Sequence, residues 1–456
     1  MERAQAFASE WSSNQSLVAR SLTLGCALGA GVMFACFSGA AIRALEGAAG
    51  VAGIAVLLFY PEFALALYVV IGDVKGDERV ASLLPVDLTL ALGAVLVAGI
   101  GLNFLRQRRR SAIPPVYLLF LALVALMTAS LCYTPVLSAG LEKLGRFVTV
   151  TGIAIVAPFF AIGTSEAMKR FLAGFGVVAF AICAWSLSGL SGSARLATPS
   201  DNTIGLGHIA CGLILLIWFG VIPRYRFPGR APAYLLLAVP AIAMIGSGSR
   251  GPVIACVAAI LLSPLLHRRR VLSDWACIAG IGVAAIPFIA IPDSAVEYLG
   301  TLVHGGNVGS VLDFRGDLLD YAWTLLRQHP LIGTGIQGFR YYSPNPELYK
   351  WPHNIFLEIA CELGIPAALI AWAIFGSAIV EACKQITRVE DPHFALSQIA
   401  AALLFAGLVN GTNTGDINSD RATWLFVSLV FVTRSIREVP IERARRTVAR
   451  VRTLAA

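Results

Sequence analysis

At residue 353 a histidine stands where a polar loop runs into an intensely apolar segment, Trp351-Pro352-His353-Asn354-Ile355-Phe356. Asn354, Glu358 and Glu362 follow at i, i+4 and i+8, so on a helix they form one polar stripe leading away from the histidine. An imidazole titrates near neutral pH and can take the proton of a hydroxyl. An ionisable group inside a membrane span costs on the order of 2.5–3.5 kcal/mol on insertion scales, which makes such groups candidates for function.

Three arginines offer a second chemistry. Arg195 lies in Gly192-Ser193-Ala194-Arg195-Leu196, Arg250 in Ser247-Gly248-Ser249-Arg250-Gly251-Pro252, and Arg315 in Asp313-Phe314-Arg315-Gly316. A guanidinium presents a fixed fork of donors that matches a phosphate or diphosphate bidentately. Each residue also has a plainer reading. Arg250 at the end of a span can be a snorkelling anchor, Arg315 on an amphipathic helix a solvated residue, and His353 an interfacial cap. His208 reads as a satisfied structural histidine, and Asp416 and Asp420 as members of a solvated loop. No D-x-D pair or carboxylate cluster accompanies the arginines, so neither a metal nor a cofactor is expected.

The elements that must position these groups are membrane helices. With 57% apolar and 14% charged residues and a mean hydropathy of +0.75, the chain is too apolar for a soluble globule. It reads as an all-α polytopic membrane protein, a bundle of about 12–14 transmembrane helices by length and hydropathy. The apolar stretches are 17–40, 47–72, 83–104, 114–132, 145–163, 169–190, 205–223, 231–246, 251–266, 272–291, 354–381, 395–412 and 421–436. Tyr60-Pro61-Glu62 interrupts the second and predicts two short helices there. The first stretch has no defensible cleavage site and is expected to be a retained helix. Nine cysteines, almost all within apolar stretches and without a C-x-x-C pair, read as packing residues.

Net charge +8 could suggest nucleic acid, but the basic residues cluster in short loops, at Arg106–Arg110, Arg224–Arg230, Arg268–Arg270 and 434–450. That is the signature of cytoplasmic loops rather than of nucleic-acid binding. Alternating from those anchors puts 133–144, 191–204, 247–250, 292–353 and 411–420 on the opposite face, together with Arg195, Arg250, Arg315 and His353. The chain then divides into N-terminal transmembrane helices (1–291), a polar loop with an amphipathic helix near 313–326 (292–353), C-terminal transmembrane helices (354–436) and a basic tail (437–456).

Four motifs in order, Ser249-Arg250-Gly251, Arg315 followed by Trp323, Pro330-Leu331-Ile332-Gly333-Thr334-Gly335 through Phe339, and His353-Asn354 through Gly364-Ile365-Pro366, resemble the O-antigen ligase and Wzy polymerase superfamily. The likeness covers roughly residues 190–412. It differs at Ala367, where a glycine commonly follows the Gly-Ile-Pro turn. The resemblance implies a GT-C-like membrane glycosyltransferase in the bacterial inner membrane, with its site facing the periplasm. The donor it implies is a glycan on undecaprenyl diphosphate, and the acceptor a lipid or glycan hydroxyl, on lipid A core or a growing chain. By the same resemblance His353 is the base, Arg250 and Arg315 hold the diphosphate in place of a metal, and the anomeric centre inverts. Arg195, Asn354 and Glu358 are further substrate-binding candidates. The competing reading is a transporter of an anionic lipid or glycan, which would need its charged site near the bilayer midplane.

Overall fold

The computed structural model describes residues 40–77, 87–107, 114–189, 195–224, 231–261, 308–347, 349–388, 391, 393–413 and 415–437. Among them all regular structure is helical, as the hydropathy pattern predicts, and six helices are long and apolar enough to cross a membrane. The stretches 17–39 and 272–291 lie outside the described residues.

α1 (Ala40–Phe59) and α2 (Pro61–Val70) are separated at Tyr60 by a bend of 109°. Pro61 causes the break, because it sits at the first position of α2, where its missing N–H is not needed. α3 (Leu88–Gln107), α4 (Val116–Ser130), α5 (Leu137–Arg146), a π-turn over Phe147–Thr151 and α6 (Gly152–Ala161) follow. Hydropathy places 133–144 in a loop, whereas the helix begins at Leu137 and runs as one candidate span to Ala161. Its charged first turns, with Glu142, Lys143 and Arg146, lower the hydropathy without breaking the helix.

α7 (Ser165–Ser186) is capped by the Thr164 hydroxyl, which accepts from Ala167 N, and α8 (Thr203–Leu216) by Asn202, which accepts from Gly205 N. α9 (Ala231–Gly246) and α10 (Arg250–Leu261) are short apolar helices joined by the turn 247–249. α11 (Val308–Gln328) runs through the segment expected to be an amphipathic helix. Leu318, Ala322, Leu325 and Leu326 are buried at helical spacing while Leu319 and Trp323 are exposed. α12 (Gly338–Tyr342), α13 (Ile355–Ile386), α14 (Phe394–Gly411) and α15 (421–437) follow among the described residues.

α8 lies at the centre of the bundle, packed on α7, α9 and α10, while α13 packs on α4, α11 and α14. One feature of α13 fixes the polar loop. Gly364 has φ +81 inside the helix, and a Cβ there would run into the carbonyl of Leu331. Gly333, at φ +68, lies equally close to the carbonyl of Glu362. The amides of Thr334, Gly335 and Ile365 then bond across the contact to Cys361, Glu362 and Pro330. Two glycines therefore let the segment after α11 seat its backbone in the kink of α13.

Candidate active site at one end of the bundle

Several described parts of the loops that alternation assigns to one face contact one another or the helix ends beside them. Tyr133 Oη and Thr134 Oγ1 donate to the carbonyls of Ile332 and Ile336, Leu196 N to Gly246 O, and Asn418 Nδ2 to Lys143 O. At one end of the bundle is a cavity of about 1070 Å³. Its polar wall comes from the end of α2, the start of α3, α5, the start of α8, the segment before α13 and the turn 415–420.

His353 lines this cavity, beside Trp351. Its φ is +54, a left-handed conformation that non-glycine residues seldom adopt and that costs of order 1–3 kcal/mol. Two contacts fix it. Asn354 Oδ1 accepts from Phe356 N at 3.1 Å and Leu357 N at 3.0 Å, which caps α13, and Asn354 Nδ2 donates to Thr412 O at 3.3 Å. Trp351 Nε1 donates to His353 Nδ1 at 3.3 Å. An indole N–H on Nδ1 assigns the proton of the neutral ring to Nε2 and leaves the basic lone pair on Nδ1.

One turn into α13 the polar stripe meets a partner that the sequence reading missed. Lys143 Nζ lies 2.6 Å from Glu358 Oε1 and 2.7 Å from Glu362 Oε2, with all three side chains buried. Glu358 Oε2 also accepts from Ile417 N at 2.9 Å. The spacing of two glutamates one turn apart in an apolar helix was the available signal, since buried carboxylates require a cation. Glu358 and Asn354, expected as substrate ligands, have these side-chain atoms engaged in holding α13 to α5 and to the turn 412–420.

The arginines fall elsewhere. Arg250 is the first residue of α10, half-buried. Arg195 is exposed, and its Nε and Cδ pack against Gly248, whose φ of +64 turns the chain between α9 and α10. Among the described residues, neither lines the cavity that holds His353. Arg315 lies in the first half of α11, and its side chain is outside the described residues.

The cavity instead presents Arg421, from the first turn of α15, and the Asp73–Asn202 pair, joined at 2.9 Å. Lys75 pairs with Asp87 at 2.6 Å, and that hydrogen bond holds the Asp87 carboxyl down at about 2. Asp420, which the sequence places in a solvated loop, is buried at 4% exposure. Burial pushes its carboxyl well above the ordinary range, only partly offset by the Thr423 hydroxyl that donates to Oδ1 at 2.9 Å. Among the described residues no cluster of His, Cys, Asp and Glu has the geometry of a metal site.

An all-helical, multi-pass protein with a polar cavity and a strained histidine at one end of its bundle fits a membrane enzyme acting at a lipid–water boundary. Residues 233–372 match the model of the O-antigen ligase family, and that segment contains Arg250, Arg315 and His353. The match supports the resemblance to the O-antigen ligase and polymerase superfamily, and with it a membrane glycan transferase of that type. No curated protein matches the chain.

Proposed function

We propose that the protein transfers a glycan from an undecaprenyl-diphosphate carrier to an acceptor hydroxyl on the periplasmic face of the bacterial inner membrane. The observation that carries this reading is His353, held at positive φ on the cavity wall at the end of the bundle where parts of the loops opposite the basic clusters contact one another. Residues 292–353 are then periplasmic and 437–456 cytoplasmic.

The acceptor hydroxyl replaces the indole at Nδ1 of His353, a displaceable contact at 3.3 Å, and gives up its proton there as its oxygen attacks the anomeric carbon. The bond to the diphosphate oxygen breaks, and one in-line attack inverts the centre. Arg250 and Arg315 bind the departing diphosphate and stabilise its charge, with Arg195 beside Gly248 as a further contact on that side. Asn354 and Glu358 act indirectly, by holding the turn that carries the base. A transporter of an anionic lipid or glycan would need charged groups near the midplane reachable from both faces. The polar cavity wall is drawn mainly from helix ends and loops of one end, which favours the enzyme.

The test is transfer in detergent with purified lipid-linked donor and acceptor. His353→Ala is expected to lower turnover by about 10²–10⁴ while the protein stays inserted and monodisperse, because loss of a base typically costs that much. Near wild-type turnover by the variant would leave His353 with an interfacial role only.

A further inference from the structure

Charge in the cavity does not suit a diphosphate. Five carboxyl groups line it, Asp73, Asp87, Glu142, Asp416 and Asp420, against three cations, Lys75, Arg146 and Arg421. Two of those cations are already taken, Lys75 by Asp87 at 2.6 Å and Arg146 by Glu142 at 2.8 Å. That leaves Arg421, with Asp73 as its first opposing charge. Burial favours the neutral form of Asp420, and the remaining carboxylates offset the cations, so a ligand with two to three negative charges would find no surplus of positive charge to meet it.

The same wall suits hydroxyl groups, which need donors and acceptors side by side. The Arg421 guanidinium reaches from α15 to the end of α2, where a Cβ at Gly72 would occupy its Nη2 position, and stands 6.0 Å from the Tyr68 ring. Among the described residues none hydrogen-bonds it. Next to it in sequence, Asp420 is 4% exposed and its Oδ2 has no hydrogen-bond partner among the described residues. Arg421 is only partly buried and can turn its donors to a ligand in the cavity, with the Asp420 side chain beside it in the wall. Asp73 and Asn202 add an acceptor and an amide, and Trp351 supplies an aromatic wall beside His353.

We propose that this cavity binds a neutral, hydroxyl-rich glycan through Arg421, Asp420 and the Asp73–Asn202 pair, and so selects an uncharged acceptor sugar, while the diphosphate stays on the Arg195–Arg250 side. The assignment rests on the transferase reading for the word acceptor, but the binding site can be tested without transfer. The purified protein in detergent is applied to an array of neutral di- to tetrasaccharides of hexoses and N-acetylhexosamines, with uronic-acid and phosphorylated counterparts. Retention of neutral glycans is expected, weakened about ten- to a hundredfold in Arg421→Gln, since one charge-assisted contact contributes about 1.5–3 kcal/mol. Asp420→Ala, at the neighbouring position of the cavity wall, should weaken the same glycans if Arg421→Gln folds poorly. Retention of only acidic or phosphorylated glycans, no retention at all, or neutral-glycan binding unchanged in both variants would overturn the proposal. A protein that retains neutral glycans through Arg421 yet transfers nothing would instead sink the transferase reading and leave the site standing.

Discussion

Lys143 of α5 and Glu358 of α13 are joined at 2.6 Å although 215 residues separate them in the chain, and the bond is almost wholly hidden from solvent. Through it the helix that begins with His353 and Asn354 is tied to the helix opposite. Through Glu358 Oε2 and Ile417 N it is also tied to the turn that carries Asp416 and Asp420. Position of His353 and shape of the cavity therefore depend on one buried ionic cluster.

Removing the cation from that cluster leaves two buried carboxylates unpaired. Lys143→Met is expected to destabilise the protein by about 3–5 kcal/mol, the range for breaking a buried pair by loss of one partner. Adding Glu358→Gln and Glu362→Gln to it should recover much of the loss, because no uncompensated charge then remains. Thermal unfolding in detergent, followed by size-exclusion chromatography, reads the effect. A single variant as heat-stable as wild type would show that the cluster contributes little.

The kink of α13 gives a second expectation. Gly364→Ala places a Cβ against the Leu331 carbonyl at a φ of +81, so strain and a steric conflict act together. A loss of about 1–3 kcal/mol is expected, with the contact between α13 and the segment 330–336 opening first. Hydrogen exchange at the amides of Thr334, Gly335 and Ile365, which bridge that contact, should rise in the variant more than exchange in α8.

These two sites show what the sequence makes legible. The break at Pro61, the amphipathic α11 and the loop-to-helix step at His353 follow from local chemistry, in that a proline stops a helix, a 3.6-residue period needs a surface, and polarity changes abruptly. Lys143 was not legible as the partner of Glu358, because its charged neighbours make the start of α5 look like a loop. Asp420 looks like a loop residue for the same reason and Arg421 like the first residue of a span, whereas the fold sets them against Gly411 and Gly72. Where backbone hydrogen bonds are local, sequence suffices; where a charge is neutralised across 200 residues, only the fold reveals it.

Asp420 also makes stability depend on pH. Its carboxyl is raised in the folded protein, so between the ordinary carboxylate value of about 3.9 and the folded value the native state holds a proton that the unfolded chain has lost. Stability should therefore fall as pH rises through that window. Asp420→Asn keeps the acceptor for Thr423 and cannot ionise, so its melting temperature should exceed that of the wild type progressively from about pH 4 upward. Parallel curves for the two proteins between pH 4 and 8 would mean that Asp420 is ionised and solvated in the folded state.

The last expectation concerns the donor side. If Arg250 and Arg315 hold the diphosphate, Arg→Lys at either position should be damaging despite conserved charge, because an ammonium is a point charge and cannot span two phosphate oxygens as a guanidinium fork does. Loss of one charge-assisted contact corresponds to about 1.5–3 kcal/mol, so transfer should fall about ten- to a hundredfold. Excess chelator should leave wild-type transfer unchanged, since the arginines supply the charge that a divalent ion would otherwise bring. Transfer with purified donor and acceptor, run with and without chelator on wild type and on Arg250→Lys and Arg315→Lys, separates the cases. Activity lost on chelation and restored by magnesium, with both lysine variants fully active, would return the two arginines to a role as membrane anchors.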